Sequence, residues 1–382
     1  MKLAAIVCEY NPFHKGHQYH IEETKQLTDC DGVVAVMSGS FVQRGEIALF
    51  SKEARARAAV LCGADLVLEL PPQFAVRSAE AFAFNALKII TSIPEVKYLS
   101  FGAESENTES IKRAAEILSE EPEEYKAALK AELKKGISYP DARQRALKKI
   151  GEDEAAAVLE LPNNILAVEY LKALKRFDSG FEPVAVKRVG AAHDSKEAGE
   201  TVSASYLREA FYSGDMAAFE KGLPAEAFDV FKKEPSADRK NFEKMLLSRI
   251  VMMSEAELRE ISEVSEGIEN RIKRAAVEAK SLEELAAAVK AKRYTMSKIR
   301  RILLCAGLGI RKEEKFSLPP YAKILAFNEN GQKILNRIKK TSEIPIIKNM
   351  TALKKSGNSE LICQYEGEAA LDRLFHIYTE EK

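Results

Sequence analysis

Residues 3 to 20 read LAAIVCEYNPFHKGHQYH, and the organisation of the whole chain follows from this stretch. The apolar run at its start predicts a short buried strand, and Tyr10 to Phe13 predict a turn. Helix-compatible residues follow from Gln18 to Leu27. A strand, a tight turn and a helix start together predict an anion site, because the first N–H groups of a helix lack partners and its dipole is positive there.

Two histidines in this turn, His14 and His17, are three residues apart, so both imidazoles can face one spot above the helix start. Gly16 lets a ligand approach the backbone closely. Two imidazole donors aimed at a phosphoryl group stabilise the charge that builds up as a nucleotide is cleaved. Two other interpretations remain open: a helix cap without a ligand, and a metal site that adds His20 and Cys30, although no HExxH or CxxC pattern completes it.

The first hundred residues alternate apolar runs with helical patterns. We predict strands at 32–37, 65–70 and 97–101, and helices at 51–61 and 79–91. This alternation predicts an α/β fold with a doubly wound parallel sheet. Ligands bind such sheets at the carboxyl ends of the strands. Polar loops follow three of the predicted strands, and we expect them to meet at one edge: 10–17, 38–46 and 102–104.

The pattern changes in the middle of the chain and then returns. Residues 106–160 are charged and alanine-rich, which predicts a helical insertion. A helix at 161–177 and a strand at 182–189 follow, and a polar loop at 190–201 contains His193 and Asp194, for which we expect no specific role.

A second candidate anion site begins the next helix. Ser203 and Ser205 can cap the helix and donate to a phosphate, and Arg208 projects from its first turn. The alternative is an ordinary serine cap followed by a surface arginine.

Beyond Tyr212 the sequence predicts only helices, so we divide the chain into a catalytic domain at 1–215 and an all-α C-terminal domain at 216–382. From Lys290 to Lys348 there are fifteen Lys or Arg against four Glu and no Asp. Such local basicity attracts a nucleic-acid backbone, although a charged helical face that only contacts solvent is the alternative. The candidate RNA-binding residues, which we place on helices, are Lys292, Arg293, Lys298, Arg300, Arg301 and Arg311.

Composition limits the protein class. The 382 residues include 58 basic and 58 acidic side chains, so net charge says nothing about nucleic acid. Five scattered cysteines fit reduced thiols. The N-terminal apolar run is too short for a signal peptide, and no stretch approaches the length of a transmembrane helix. These features predict a cytoplasmic protein that does not associate with membranes.

Several motifs resemble known families. His14 to His17 resembles the His-x-Gly-His signature of the nucleotidyltransferase superfamily that includes class I aminoacyl-tRNA synthetases. Ser203 to Arg208 resembles that superfamily's Ser-x-Thr-x-x-Arg signature, with serine in place of threonine. Five motifs in order resemble the bacterial tRNA(Met) cytidine acetate ligase family, TmcAL: NPFHKGH (11–17), MSGSFVQRGE (37–46), FGAE (101–104), LPNN (161–164) and SASYLR (203–208). Thr295 to Ile299 also resembles the Lys-Met-Ser-Lys-Ser loop of class I synthetases, but we treat that similarity as accidental because it lies in a predicted all-helical region.

The resemblance implies an enzyme that uses ATP, with Mg²⁺, to activate acetate as acetyl-adenylate. The acetyl group then passes to N4 of the wobble cytidine, position 34, of elongator tRNA(Met). His14 and His17 are the implied catalytic residues, and neither a protein-held metal nor a protein partner is implied. The implied nucleotide-binding residues are Val7, Cys8, Glu9, Tyr10, Asn11, Pro12, Phe13, His14, Lys15, Gly16, His17, Gly102, Asn163, Arg188, Val189, Ser203, Ser205 and Arg208.

Two other functions remain open at this point. A small-molecule adenylyltransferase would use the same residues, and an RNA-binding protein could carry a vestigial nucleotide site.

Overall fold

The apolar N-terminal run forms an interior strand of a sheet, β1 (Leu3–Cys8), whose first four residues are buried. The computed structural model of the chain describes residues 1–104, 108–188, 202–265, 267–312 and 316–379. Across these ranges no helix is both long enough and apolar enough to span a bilayer.

Eight further strands lie in the described residues: β2 (Gly32–Ser38), β3 (Phe41–Val42), β4 (Glu46–Ile47), β5 (Leu66–Leu70), β6 (Val96–Ala103), β7 (Glu182–Lys187), β8 (Ala322–Phe327) and β9 (Ile346–Ile347). Seven of the nine form one sheet in the order β7-β6-β1-β2-β5-β8-β9, and β3 and β4 form a separate antiparallel hairpin. Within the large sheet, only β5 and β8 pair antiparallel. The predicted doubly wound, mostly parallel sheet is therefore confirmed, and its strand order reverses between β1 and β6.

Four helices accompany the first strands: α1 (Lys15–Thr28), α2 (Lys52–Leu61), α3 (Pro72–Ala75) and α4 (Ala79–Thr91). Serine caps start two of them, because the Ser51 Oγ accepts from the Ala54 N–H and the Ser78 Oγ accepts from the Ala81 N–H. Helix α1 begins three residues before our prediction. His17 therefore lies inside its first turn and not in the preceding loop.

The predicted insertion is helical throughout its described part: α5 (Thr108–Glu120), α6 (Glu123–Leu133), α7 (Tyr139–Lys149) and α8 (Asp153–Val158). It is followed by α9 (Pro162–Arg176). Ile111, Leu147 and Val168 share one buried cluster with Val34 and Leu99 of the sheet. The insertion therefore packs onto the main core.

Helices dominate the remainder of the chain: α10 (Ala204–Ser213), α11 (Met216–Lys221), α12 (Ala225–Phe231), α13 (Arg239–Met252), α14 (Glu255–Glu260), α15 (Ile268–Ala276), α16 (Leu282–Val289), α17 (Met296–Leu308), α18 (Glu329–Thr341), α19 (Met350–Ser356) and α20 (Ser359–Ile377). Because α16 ends at Val289 and α17 begins at Met296, Lys292 and Arg293 lie in a turn. Our placement of both on a helix with Lys298 is therefore wrong.

The expectation of an all-α C-terminal domain is also wrong, since β8 and β9 extend the catalytic sheet beyond β5. The sequence did not predict the strand β8, which contains a lysine. Lys323 lies in this strand, and its Nζ is 3.2 Å from the Glu69 Oε2 and 3.4 Å from the Asp372 Oδ2. Lys323 is therefore held in the sheet by an ion-pair network with two carboxylates. The division of the chain near residue 215 stays a prediction.

Candidate active site

A cleft of about 720 Å³ opens at the carboxyl ends of β1 and β6, where the strand order of the sheet reverses. Its walls come from the β1–α1 turn, the β3–β4 hairpin, the start of α9, the residues after β7, and the starts of α10 and α17. All three of the predicted polar loops contribute to this edge of the sheet. The volume is in the range of protein sites for small ligands and cofactors.

The two histidines form the floor of this cleft at the start of α1. His14 is the N-cap residue, and its Nδ1 accepts from the Gly16 N–H at 3.1 Å. The His17 Nδ1 accepts in turn from the His14 N–H at 3.2 Å. The rings stack with their centroids 3.7 Å apart, so the expectation that both imidazoles face one spot is confirmed.

This capping arrangement fixes the chemistry of both rings. Each Nδ1 accepts a backbone hydrogen bond, so a neutral ring carries its proton on Nε2. Each ring therefore keeps an N–H donor on the side away from its backbone contact. The helix start adds its own N–H groups and its positive dipole, which together suit a phosphate that gains charge.

The end of β1 is held in place by Arg55, which is completely buried. Its Nη1 donates to the carbonyl oxygens of Glu9 at 2.6 Å and Ser38 at 3.1 Å, and its Nε donates to the Phe50 carbonyl oxygen at 3.1 Å. Burial raises the pKa of the Glu9 carboxyl, whose Oε1 accepts from the Gln43 N–H at 2.6 Å. These contacts fix the β1–α1 turn relative to the β3–β4 hairpin.

The wall at the end of β6 contains Gly102, Asn163 and Arg188. The Asn163 Nδ2 donates to the Glu104 Oε1 at 2.7 Å, and the Asn164 Oδ1 accepts from the Glu104 N–H at 2.9 Å. Burial lowers the pKa of the Arg188 guanidinium, and the carboxylate of Glu104 opposes that effect. Glu104 therefore positions the start of α9 beside the strand.

The opposite wall contains Ser203, Ser205 and Arg208 from the start of α10. The Ser203 Oγ caps this helix by accepting from the Tyr206 N–H at 3.2 Å. The Arg208 Nη1 donates to the Asn11 carbonyl oxygen at 2.8 Å, and its Nη2 lies 3.4 Å from the Glu46 Oε2. Because Arg208 holds the β1–α1 turn directly, the structure brings both candidate anion sites into one cleft.

Some residues of the predicted nucleotide site lie elsewhere. Phe13 is completely buried against Tyr10 and His17, and neither it nor Pro12 lines the cleft. Lys15 is turned away, since its Nζ donates to the Lys221 carbonyl oxygen at 2.8 Å. The remaining described residues of the prediction line the cleft: Val7, Cys8, Glu9, Tyr10, Asn11, His14, Gly16, His17, Gly102, Asn163, Arg188, Ser203, Ser205 and Arg208. Val189, His193 and Asp194 lie outside the described residues.

Sequence reasoning missed other lining residues. The β3–β4 hairpin contributes Gln43, Arg44 and Glu46, which belong to the most distinctive motif of the family resemblance. Thr295 and Ser297 also line the cleft, at the start of α17, although we expected no role for this stretch. The capping threonine at 295, whose Oγ1 accepts from the Lys298 N–H, was the available signal.

His20, the third histidine of the motif, also lines the cleft but behaves differently. Burial, together with the nearby charge of Arg188, lowers its pKa to about 4. Its Nε2 lies 3.0 Å from the Ser100 Oγ. His20 is therefore a neutral hydrogen-bonding residue near neutral pH. In the described part of the chain, no three His, Cys, Asp or Glu side chains form a group that could hold a metal ion.

The candidate RNA-binding residues separate into two groups. Lys292, Arg293, Arg300 and Arg311 are exposed. Lys298 is half-buried against the Tyr294 ring and donates to the Ser265 Oγ at 3.0 Å. Arg301 is buried, pairs with Glu263 at 3.2 Å and lines the nucleotide cleft, so its position contradicts a role on an RNA-binding surface.

Comparisons with known proteins agree with this geometry. The HIGH Nucleotidyl Transferase family matches residues 1–381 of the chain. A tRNA(Met) cytidine acetate ligase of Thermoanaerobacter sp. is 41% identical over 364 residues, which cover 93% of this chain and 90% of the relative. A tRNA(Met) cytidine acetate ligase of Acetivibrio thermocellus is 40% identical over 392 residues, which cover 98% of this chain and 94% of the relative.

Solved structures give the same result. The apo form of Thermotoga maritima TmcAL matches with a TM-score of 0.89 at 35% identity, covering 97% of this chain and 92% of that one. The crystal structure of T. maritima TmcAL bound with alpha-thio ATP matches with a TM-score of 0.86 at 36% identity, covering 93% and 87%. The chain belongs to the tRNA(Met) cytidine acetate ligase family of HIGH nucleotidyl transferases.

Proposed function

We propose that this protein is an ATP-dependent ligase that acetylates N4 of the wobble cytidine of elongator tRNA(Met) with acetate as the acetyl source. The observation that carries the proposal is the stacked His14–His17 pair, which caps a helix at the switch point of a parallel sheet and lines a cleft of nucleotide size. The names of the relatives support the substrate, and the bound ATP analogue of the T. maritima protein supports ATP.

In the first step a carboxylate oxygen of acetate attacks the α-phosphorus of ATP. A new P–O bond forms, the bond to the β-phosphate oxygen breaks, and pyrophosphate leaves as acetyl-adenylate forms. The enzyme needs no covalent intermediate, so catalysis is positioning and charge stabilisation. His14 and His17 donate from Nε2 to the α-phosphate and the departing pyrophosphate, and Arg208 adds positive charge on the opposite wall.

Mg²⁺ enters as part of the nucleotide substrate. The carboxylates that line this part of the cleft already have protein partners: Glu9 with the Gln43 N–H, and Glu46 with Arg208 and Arg300. The described residues thus offer no dedicated metal site, and we assign the ion to the phosphate oxygens.

In the second step the cytidine amino nitrogen attacks the acetyl carbon of the adenylate. The C–N bond forms, the C–O bond to AMP breaks so that AMP leaves, and the amino group loses one proton to solvent. The exposed Lys292, Arg293, Arg300 and Arg311 bind the RNA backbone while the base enters the cleft.

The direct test incubates the protein with ATP, labelled acetate and total tRNA, followed by nucleoside analysis. We expect labelled N4-acetylcytidine in elongator tRNA(Met), together with AMP and pyrophosphate. ATP consumption that depends on a phosphorylated small molecule, and not on acetate, would instead identify a small-molecule adenylyltransferase. If no nucleotide is turned over under any of these conditions, the remaining function is that of an RNA-binding protein with a vestigial nucleotide site.

A further inference from the structure

The cleft continues beyond the nucleotide site into a space between the helical insertion and α9. We call this space the insertion-side pocket, and its lining residues are Phe82, Tyr139, Arg143, Leu166, Glu169 and Tyr170. It directly adjoins the nucleotide site, because the Tyr170 ring lies 6.3 Å from the ring of Phe101, the residue before Gly102. None of the residues that we assign to ATP belongs to this pocket.

The bottom of the pocket contains the guanidinium of Arg143, which is buried and held in place. Arg143 is 8% exposed, and its Nη1 donates to the Glu169 Oε1 at 2.8 Å. The second oxygen of Glu169 accepts from the Lys172 Nζ at 2.8 Å. The Arg143 Nη2 and the neighbouring Tyr125 hydroxyl are buried and interact with each other, but neither forms a hydrogen bond of standard geometry within the described residues. A buried donor without a partner destabilises the protein unless a ligand or a water satisfies it.

The mouth of the pocket is aromatic and basic. Tyr139 is 46% exposed, and the Arg143 guanidinium carbon lies 5.7 Å from its ring centroid. The turn before Tyr139 contains Lys134 and Gly136, and the Arg293 Nε lies 3.8 Å from the position of a Cβ built on Gly136. The basic stretch of the C-terminal region therefore reaches the mouth of this pocket. Proteins commonly hold an unstacked base by stacking it on an exposed aromatic ring, while nearby positive charges bind the flanking phosphates.

We propose that the insertion-side pocket receives the target cytosine, with its ring stacked on Tyr139 and its O2 and N3 facing the Arg143 guanidinium. This inference rests on the proposed function. Both cytosine atoms are acceptors, which suits a guanidinium that only donates, whereas uracil presents an N–H at N3. Recognition through O2 and N3 leaves the amino group at N4 free to turn towards the adenylate. Arg293 and Lys134 contact the flanking phosphates.

The absence of tryptophan from the chain allows a direct binding test. In Tyr139→Trp, the single indole should be quenched by an anticodon stem-loop RNA with cytidine at the target position. The same RNA with an abasic nucleotide there should quench at least fivefold less. Leu61→Trp, at the exposed end of α2, is the matched reporter control and should respond to neither RNA. Equal quenching by both RNAs, or quenching by ATP alone, would contradict base stacking at Tyr139.

A kinetic test separates this inference from the proposed function. For Tyr139→Ala we expect the ratio of acetyl transfer to acetate-dependent pyrophosphate exchange to fall about 10- to 100-fold, and Tyr139→Phe should restore it. If the wild-type protein itself shows no exchange, the proposed function fails. If the wild type is active and the ratio is unchanged in Tyr139→Ala, only the pocket assignment fails. A parallel loss of both activities would place the adenylate in this pocket.

Discussion

At the scale of single residues, His14 and His17 combine a structural role with a proposed chemical one. Their Nδ1 atoms close the hydrogen bonds that start α1, and in the proposed mechanism their Nε2 atoms donate to the substrate phosphates. The same contact that stabilises the helix therefore fixes the tautomer that the proposed mechanism requires. An alanine at either position would remove both effects together, so side chains that keep the cap are the informative substitutions.

Arg55 allows a prediction about stability. Its guanidinium serves four backbone carbonyl oxygens, including that of Gly39, and a lysine ammonium cannot reach all of them. We expect Arg55→Lys to lower the free energy of unfolding by about 2–4 kcal/mol, measured in urea. Arg57→Lys is the matched control on the same helix: Arg57 is exposed and its ion-pair partner among the described residues is Glu234, so we expect a change below about 0.5 kcal/mol. Equal losses would contradict the role of Arg55.

Glu368 allows a prediction about pH. Burial and the charge of Glu69 raise its pKa to about 7, while Gln364, Tyr321 and Lys323 oppose the shift. Between pH 4.5 and 7 the folded protein therefore keeps a proton on Glu368 that the unfolded chain has lost. The free energy of unfolding consequently falls as the pH rises through this range, by up to about 1.4 kcal/mol per pH unit. We expect Glu368→Gln to remove that slope in unfolding experiments at pH 5, 6 and 7. The exposed Glu366→Gln should leave the slope unchanged.

At the scale of elements, the β3–β4 hairpin connects the cleft to the C-terminal region. A Cβ on Gly45 would lie 2.5 Å from the Arg301 N, so the hairpin tip rests directly on the backbone of α17. Glu46 in the same hairpin lies 3.4 Å from the Arg208 Nη2 and 3.5 Å from the Arg300 Nη1. The hairpin therefore couples α17 to the wall of the nucleotide site.

This contact predicts a specific effect of one methyl group. Gly45→Ala should lift the hairpin from α17, lowering the free energy of unfolding by more than about 2 kcal/mol and reducing acetate activation. Gly151→Ala controls for the backbone alone, because its φ is +82° against +84° at Gly45 and nothing lies within 4 Å of its new Cβ. For Gly151→Ala we expect the free energy of unfolding to fall by about 1 kcal/mol and the activity to be unchanged. Similar losses in both variants would show that the contact with α17 is unimportant.

The sequence predicted the elements whose signals are local. The strand β1 and the Ser203 cap each depend on neighbouring residues, and both are observed. The strand β8 and the position of Thr295 depend on contacts between residues far apart in the chain. The ion-pair partners of Lys323 in β8, Glu69 and Asp372, are 254 and 49 positions away in the chain. The hydrophobic periodicity of a single segment carries no information about such long-range pairing.

At the scale of the whole molecule, positive charge from the C-terminal region lies beside a cleft built mainly by the N-terminal half. Arg293 approaches the insertion at Gly136, and Arg300 approaches the hairpin at Glu46. These contacts place the proposed RNA-binding surface next to the proposed site of adenylate formation. A molecule with no net charge can therefore still bind RNA through one face.

This arrangement predicts that RNA binding and acetate activation are separable. Lys292→Glu with Arg293→Glu should weaken tRNA binding at least tenfold and reduce the dependence of log affinity on log salt by one to two units, measured by filter binding. Acetate-dependent pyrophosphate exchange should stay within about twofold of wild type. Lys339→Glu with Lys340→Glu, on exposed positions of α18, should leave binding almost unchanged. An equal loss in both double variants would indicate nonspecific charge attraction.

The most direct test of the central claim is acetate-dependent exchange of labelled pyrophosphate into ATP by the His14→Asn, His17→Gln variant. Asparagine remains a good N-cap and glutamine completes the capping box, so we expect the unfolding temperature to stay within a few degrees of wild type. The account predicts that exchange falls at least about 100-fold, because the two Nε2 donors are lost. Undiminished exchange in this folded variant would contradict it.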